Sequence, residues 1–177
     1  TTLDGKIQVS AAALKNELFF WYGQLDKYDS VTRMGDLTVK MLGSSTSQKL
    51  KAKAMESWGC CLWLIDMVEK YKPYLSADNY ERMSGSGRDL VCVWETMKAA
   101  GPVLLESESQ AMMDAWKQHM QHIRPFHIYL PKHHMMFHML RKASYLGNPM
   151  IYAVFLDESL NKNLKQCLRL CHQHTFE

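Results

Sequence analysis

The run Leu146-Gly147-Asn148-Pro149 limits what this chain can fold into more than any other stretch. Glycine takes the left-handed conformation that ends a helix, asparagine caps a new one, and the fixed φ of proline suits a first helical turn. One helix therefore stops at Leu146 and another starts at Pro149, so two helices meet at a short turn. Pro131 marks the start of the first by the same reasoning.

Successive helical residues turn by about 100°, so residues three and four apart share a face. On that wheel Met135, Met139, Ala143 and Leu146 form the side expected to be buried, and His134, His138, Arg141 and Tyr145 lie opposite. Two imidazoles four residues apart can reach one metal ion if a third ligand arrives from elsewhere. A solvent-facing stripe that contains histidine accounts for the same pattern, and no HExxH glutamate accompanies the pair. In the second helix Leu156, Leu160, Leu164, Cys167 and Cys171 make the apolar line, and Glu158, Asn161, Lys162, Lys165 and Arg169 make the polar one. An exposed pair such as Glu158 and Lys162 adds only about 0.2–0.5 kcal/mol, so pairing alone gives no special reason for the glutamate. The alternative is that Glu158 is a hard oxygen ligand for a divalent cation.

The order Pro131, His133, His134, His138, then Gly147 and Pro149, then Phe155, Glu158, Asn161 and Leu164 resembles the C-terminal catalytic-region segment of CACTA-like and Plavaka-like DNA transposases. The resemblance covers residues 130–165, about a fifth of the chain. It implies that Glu158 is the last carboxylate of a metal-binding DDE triad, with magnesium or manganese as the ion, and it leaves two further carboxylates to be found. Asp66 is the first candidate for one of them. On this reading Glu158 and Asp66 are catalytic, His134, His138 and Glu158 are metal ligands with zinc as an alternative ion, and Lys162, Lys165, Arg169 and Arg141 meet phosphate.

The remaining residues predict an all-α single domain over 1–177, an irregular bundle of six or seven helices. A helix capped by Ser10 carries Leu14, Leu18, Trp21 and Leu25 on one face, widened by Phe19, Phe20 and Tyr22, and reads as core. Val31, Leu37, Val39 and Leu42 fit a short helix or a strand equally well. A long helix follows the Gly43 to Gln48 loop, and its middle, Trp58 to Val68, is apolar all round, which predicts a central buried helix with Asp66 in or near the core. An aspartate there is expected to be hydrogen-bonded, cation-paired, protonated or a ligand. Ser76 caps a short helix through Met83, the Ser84 to Gly87 run reads as a flexible break, and Leu90, Val91, Trp94 and Met97 define the next helix. Glu106 to Ile123 puts Met112, Trp116, Met120 and Ile123 on one face, with His119 in the same stripe.

Six of the eight histidines lie between His119 and His138, which suggests a metal site or a pH-sensitive contact. Five cysteines with no CxxC pair give neither a disulfide framework nor a zinc knuckle, and read as reduced and mostly buried. The net charge of +3 is too small to argue for nucleic acid by itself. No apolar run reaches the roughly 20 residues a membrane span needs. No signal peptide opens the sequence, which predicts an intracellular protein with the nucleus as a candidate compartment, and the start at Thr1 suggests a trimmed chain or part of a longer one. The expected function is a transposase-related, nucleic-acid-binding segment that contributes to metal-dependent DNA cleavage or joining. The alternative is a non-enzymatic helical scaffold, or a subunit that meets protein partners or the rest of a longer chain.

Overall fold

A computed structural model describes residues 3–26, 31–43, 50–128 and 130–152. Over these residues the protein is all-α. Seven helices follow in order: α1 (Leu3–Gln24), α2 (Val39–Leu42), α3 (Ala54–Lys70), α4 (Ala77–Ala99), α5 (Glu106–Ile123), α6 (Pro131–Leu146) and α7 (Pro149–Tyr152). Single 3-10 turns stand at Lys72–Tyr74 and Arg124–Phe126, and the described residues contain no strand. None of the described helices is long and apolar enough to cross a membrane. The chain groups into two compact units, Thr1–Arg88 and Asp89–Glu177, each with its own apolar cluster.

In the first unit Leu18, Trp21 and Tyr22 of α1 pack with Met34 and Leu37 of the following loop and with Cys60 and Trp63 of α3. The loop is held by the Met34 amide, which donates to the Tyr22 hydroxyl at 3.1 Å. The segment that fitted helix or strand equally is this loop, ending in the one turn of α2. Two expectations need correction here. The helix begins at Leu3, ahead of Ser10, and Leu14, Phe19 and Phe20 are exposed, Phe20 at 62%. Four successive aromatic residues cannot share a direction when each step turns about 100°; Trp21 and Tyr22 take the buried side.

α3 is also one-sided: Gly59, Cys60, Trp63 and Val68 are buried, while Leu64 and Asp66 are exposed. It is not a helix buried on every side, and Asp66 is not a core carboxylate. Its Oδ2 instead accepts the indole N–H of buried Trp21 at 2.6 Å, so the pairing expected of this aspartate is a hydrogen bond. Burial pushes the Cys60 thiol up to about 11, reinforced by Cys61 and Glu56, which leaves it protonated and inert at neutral pH. Cys61 is half-buried and Cys92, against expectation, is exposed; all three are free.

The Ser-Gly-Ser-Gly run is not a break, because α4 runs through it without interruption. Ser76 does cap that helix, its hydroxyl accepting the Asn79 amide at 3.3 Å. The small residues serve packing: a Cβ placed on Gly87 would lie 2.6 Å from Cγ1 of Ile65, so α3 approaches α4 where a side chain cannot fit. Buried Ser84 donates to Glu69 of α3 at 3.1 Å and accepts from Arg88 at 3.0 Å.

In the second unit Val93 and Met97 of α4, Met112, Ala115 and Trp116 of α5, and Leu140 and Ala143 of α6 share a core with Leu104. α5 starts where Glu108 folds back to accept the Leu105 amide at 2.8 Å, the reciprocal half of a capping box. The α5–α6 link turns through His127, which takes a left-handed conformation at φ 54°. Gly147 ends α6 at φ 86°, with the Pro102 carbonyl oxygen 2.8 Å from where its Cβ would be. Asn148 then caps α7, its Oδ1 accepting the Met150 amide at 3.0 Å. The turn predicted at Leu146 to Pro149 is therefore present.

The phase of α6 differs from the wheel. Leu140 and Ala143 are buried with Met136 half-buried beside them, whereas Met135 is 69% and Leu146 is 60% exposed. Met135, Met136, Phe137, Met139 and Leu140 are apolar in near succession, so hydrophobicity alone leaves the buried direction undetermined. Contact with α5 selects the 136, 140, 143 line.

Candidate nucleic-acid interface

The outer face of α6 carries the histidine pair. His134 and His138 lie one turn apart with their Nε2 atoms 2.9 Å from each other and their rings nearly perpendicular at 4.3 Å. The 2.9 Å approach is a hydrogen bond between the two rings; two nitrogens at about 2.1 Å from one tetrahedral ion would stand about 3.4 Å apart, so the pair would open by about 0.5 Å to hold zinc. The His138 imidazole is held below the usual histidine range, first by partial burial and then by His134, Arg141 and Lys142. A neutral ring is the form that binds metal. Imidazole nitrogen suits zinc or a similar transition ion, whereas magnesium prefers oxygen, so the pair fits the zinc alternative better than magnesium.

The other four histidines of the cluster stand outside that pair. Buried His119 packs on Trp116 at 5.1 Å and meets His133 edge to face at 6.2 Å. His122 approaches Asp89 at 3.6 Å, and His127 forms the left-handed turn. Burial lowers the pKa of His133. Among the described residues no group of three or more His, Cys, Asp or Glu side chains could hold a metal ion. A third ligand for His134 and His138 would thus come from outside these residues. Glu158, Lys162, Lys165 and Arg169 lie outside them, as do the apolar positions Leu156, Leu160, Leu164, Cys167 and Cys171.

Arg141 is exposed on the α6 face that carries His134, as the wheel predicts. Asp66 belongs to the first unit and His134, His138 and Arg141 to the second. Comparison with protein-family models, curated proteins and solved structures finds no match.

Two features beside the histidine pair were not singled out from sequence. Residues 115–156 contain no Asp or Glu yet carry Lys117, Arg124, Lys132, Arg141 and Lys142. Among the described residues no acidic group pairs with Arg124, Lys132, Arg141 or Lys142; Lys117 meets Asp114 at 3.1 Å. Within this stretch a groove of about 550 Å³ runs between α5 and α6, lined by rings of Trp116, His133, His134 and Phe137 together with Met120 and Leu130. The acid-free run was visible in the sequence as a local charge pattern hidden under a near-neutral total. The groove was not, because its rings come from two helices.

Proposed function

We propose that this chain is a transposase-related helical segment that binds nucleic acid through the α6 side of its second unit and contributes to metal-dependent cleavage or joining of DNA. The observation that carries the reading is the 2.9 Å approach of His134 and His138 on a helix face shared with Arg141, inside a 42-residue stretch without an acid (115–156). Unpaired cations with no opposing carboxylate attract phosphate, and these contacts position nucleic acid without reading its sequence. The resemblance adds Glu158 as the metal-holding carboxylate, and the polar stripe expected around it adds Lys162, Lys165 and Arg169 as further phosphate contacts. A divalent ion held there would polarise a phosphoryl oxygen or activate water; magnesium or manganese matches Glu158, and zinc matches the imidazole pair.

A helical scaffold without chemistry is the second reading, supported by exposed Met135, Leu146, Ile151 and Val103. Such apolar side chains suit contact with a protein partner or with the rest of a longer chain.

Titration with magnesium, manganese and zinc, followed by thermal stability and by binding to duplex DNA at several salt concentrations, tests the first reading. Zinc should raise the melting temperature of the chain, and His134→Ala or His138→Ala should abolish that rise. Arg141→Ala with Lys142→Ala should lower the salt dependence of DNA binding by a slope of about 2. Glu158→Ala should abolish any magnesium-dependent cleavage. If neither metal nor DNA binds at moderate salt, the scaffold reading takes its place.

A further inference from the structure

We propose that the groove between α5 and α6 accepts an unpaired nucleic-acid base while cations of the same acid-free stretch hold the flanking phosphates. This rests on the nucleic-acid reading above and adds its substrate class: single-stranded or locally opened nucleic acid, in preference to closed duplex.

The groove has the size of a small-molecule site, about 550 Å³, and half of the residues lining it carry rings. Trp116 and His133 meet at 5.9 Å with planes 72° apart, and Trp116 and His119 lie at 5.1 Å on the same ring system. The edge-to-face contact of His133 with Trp116 leaves ring surface that face-to-face stacking would consume, so a planar guest can lie against Phe137 or the lining imidazoles of His133 and His134. Gln121 and Lys117 bring an amide and an ammonium to the same groove, groups that can bond to a base edge. Asp114, the nearest acid in the sequence, is already engaged by Lys117 and by Gln110 at 2.7 Å.

Charge selects the guest. A partner's apolar side chain would gain from the ring walls but nothing from Arg124, Lys132, Arg141 and Lys142, which have no acidic partner among the described residues. Nucleic acid uses both, since a cationic track for phosphates beside an aromatic platform for bases is the usual design of single-strand binders. A base inside a closed duplex cannot enter a groove between two helices without leaving its stack.

The test measures affinity of the 177-residue chain for a single strand and for the same sequence closed in a duplex, in DNA and in RNA, at one salt concentration. The single strand should bind at least about fivefold more tightly, the effect of stacking one base. A strand carrying 5-iodouracil should crosslink on irradiation to residues 116–121 or 130–137. His133→Ala and Phe137→Leu, checked for retained helicity, should weaken single-strand binding by about fivefold and leave duplex binding unchanged, whereas Lys132→Ala should weaken both. Buried Trp116 is left intact because its loss would disturb the core.

Equal affinity for both forms, with crosslinks outside these peptides, overturns the groove proposal and leaves the nucleic-acid reading standing. Failure of every strand to bind overturns both. An apolar dye that occupies the groove and is displaced by no oligonucleotide would assign it to a protein side chain and overturn the proposal.

Discussion

The Asn148 side chain makes four hydrogen bonds. Its buried amide nitrogen donates to the carbonyls of Met97 at 2.7 Å, Ala100 at 3.1 Å and Gly101 at 3.2 Å, while its backbone N–H donates to Pro102 at 2.9 Å. The same side chain thus satisfies carbonyls at the end of α4 and, through Oδ1, the start of α7. Asn148→Ala leaves the buried Met97 carbonyl, and the part-buried carbonyls of Ala100 and Gly101, without this donor and should cost about 1–3 kcal/mol in urea unfolding. Asn148→Asp should cost more, because it turns a carboxylate oxygen toward three carbonyl oxygens. Equal stability of the two variants would mean that shape, and not the donated hydrogen bonds, sets the worth of this position.

At the scale of helices, close approach decides the outcome. Gly87→Ala gains about 1 kcal/mol of helix propensity, but forcing a methyl against Ile65 costs about 1–3 kcal/mol, so the net effect should be destabilising. Adding Ile65→Ala should recover part of that loss, and a double-mutant cycle in urea measures the coupling. Between α5 and α6 the fully buried Leu140 is the main wedge; Leu140→Ala should cost about 2–5 kcal/mol by the same measurement. These contacts also explain what the sequence could tell. Helix ends at Ser76, Pro131 and Gly147 were legible because capping and termination act within a few residues. The phase of α6 and the side taken by Phe19 to Tyr22 were not, since consecutive apolar residues fit several faces and a neighbouring helix chooses one. The Ser84 to Gly87 run looked like a break because small residues have weak local preference; their role depends on α3. In the candidate site, the meeting of His134 with His138 followed from spacing alone, while the groove rings required two helices to be brought together.

For the whole molecule, the shifted carboxylates give a sign for the response to acid. Glu17 is held below its usual range by the hydrogen bond from Lys70 at 2.6 Å, Asp36 by Lys15, Asp78 by Arg82, and Asp114 by Gln110 and Lys117. A carboxylate with a depressed folded pKa binds fewer protons than its unfolded counterpart. Its contribution is therefore complete above the ordinary carboxylate range and fades as pH falls through the lower, folded values. The carboxylates alone would keep the melting temperature level from pH 7 to about 5 and lower it below about 4, with high salt shrinking that part because these pairs are exposed; the lowered folded pKa values of His133 and His138 add an earlier loss as pH falls through the histidine range. A series of thermal melts across pH at two salt concentrations checks the direction.

The bonds from Asn148 to Met97 also bear on the order of events during folding. They close a long loop of chain, and closing it early would sacrifice conformational entropy before any packing repaid the loss. The hairpin of α5 and α6 lies inside that loop and shortens it when it forms. The asparagine should then engage late, so that Asn148→Ala speeds unfolding in stopped-flow traces and leaves the refolding rate nearly unchanged.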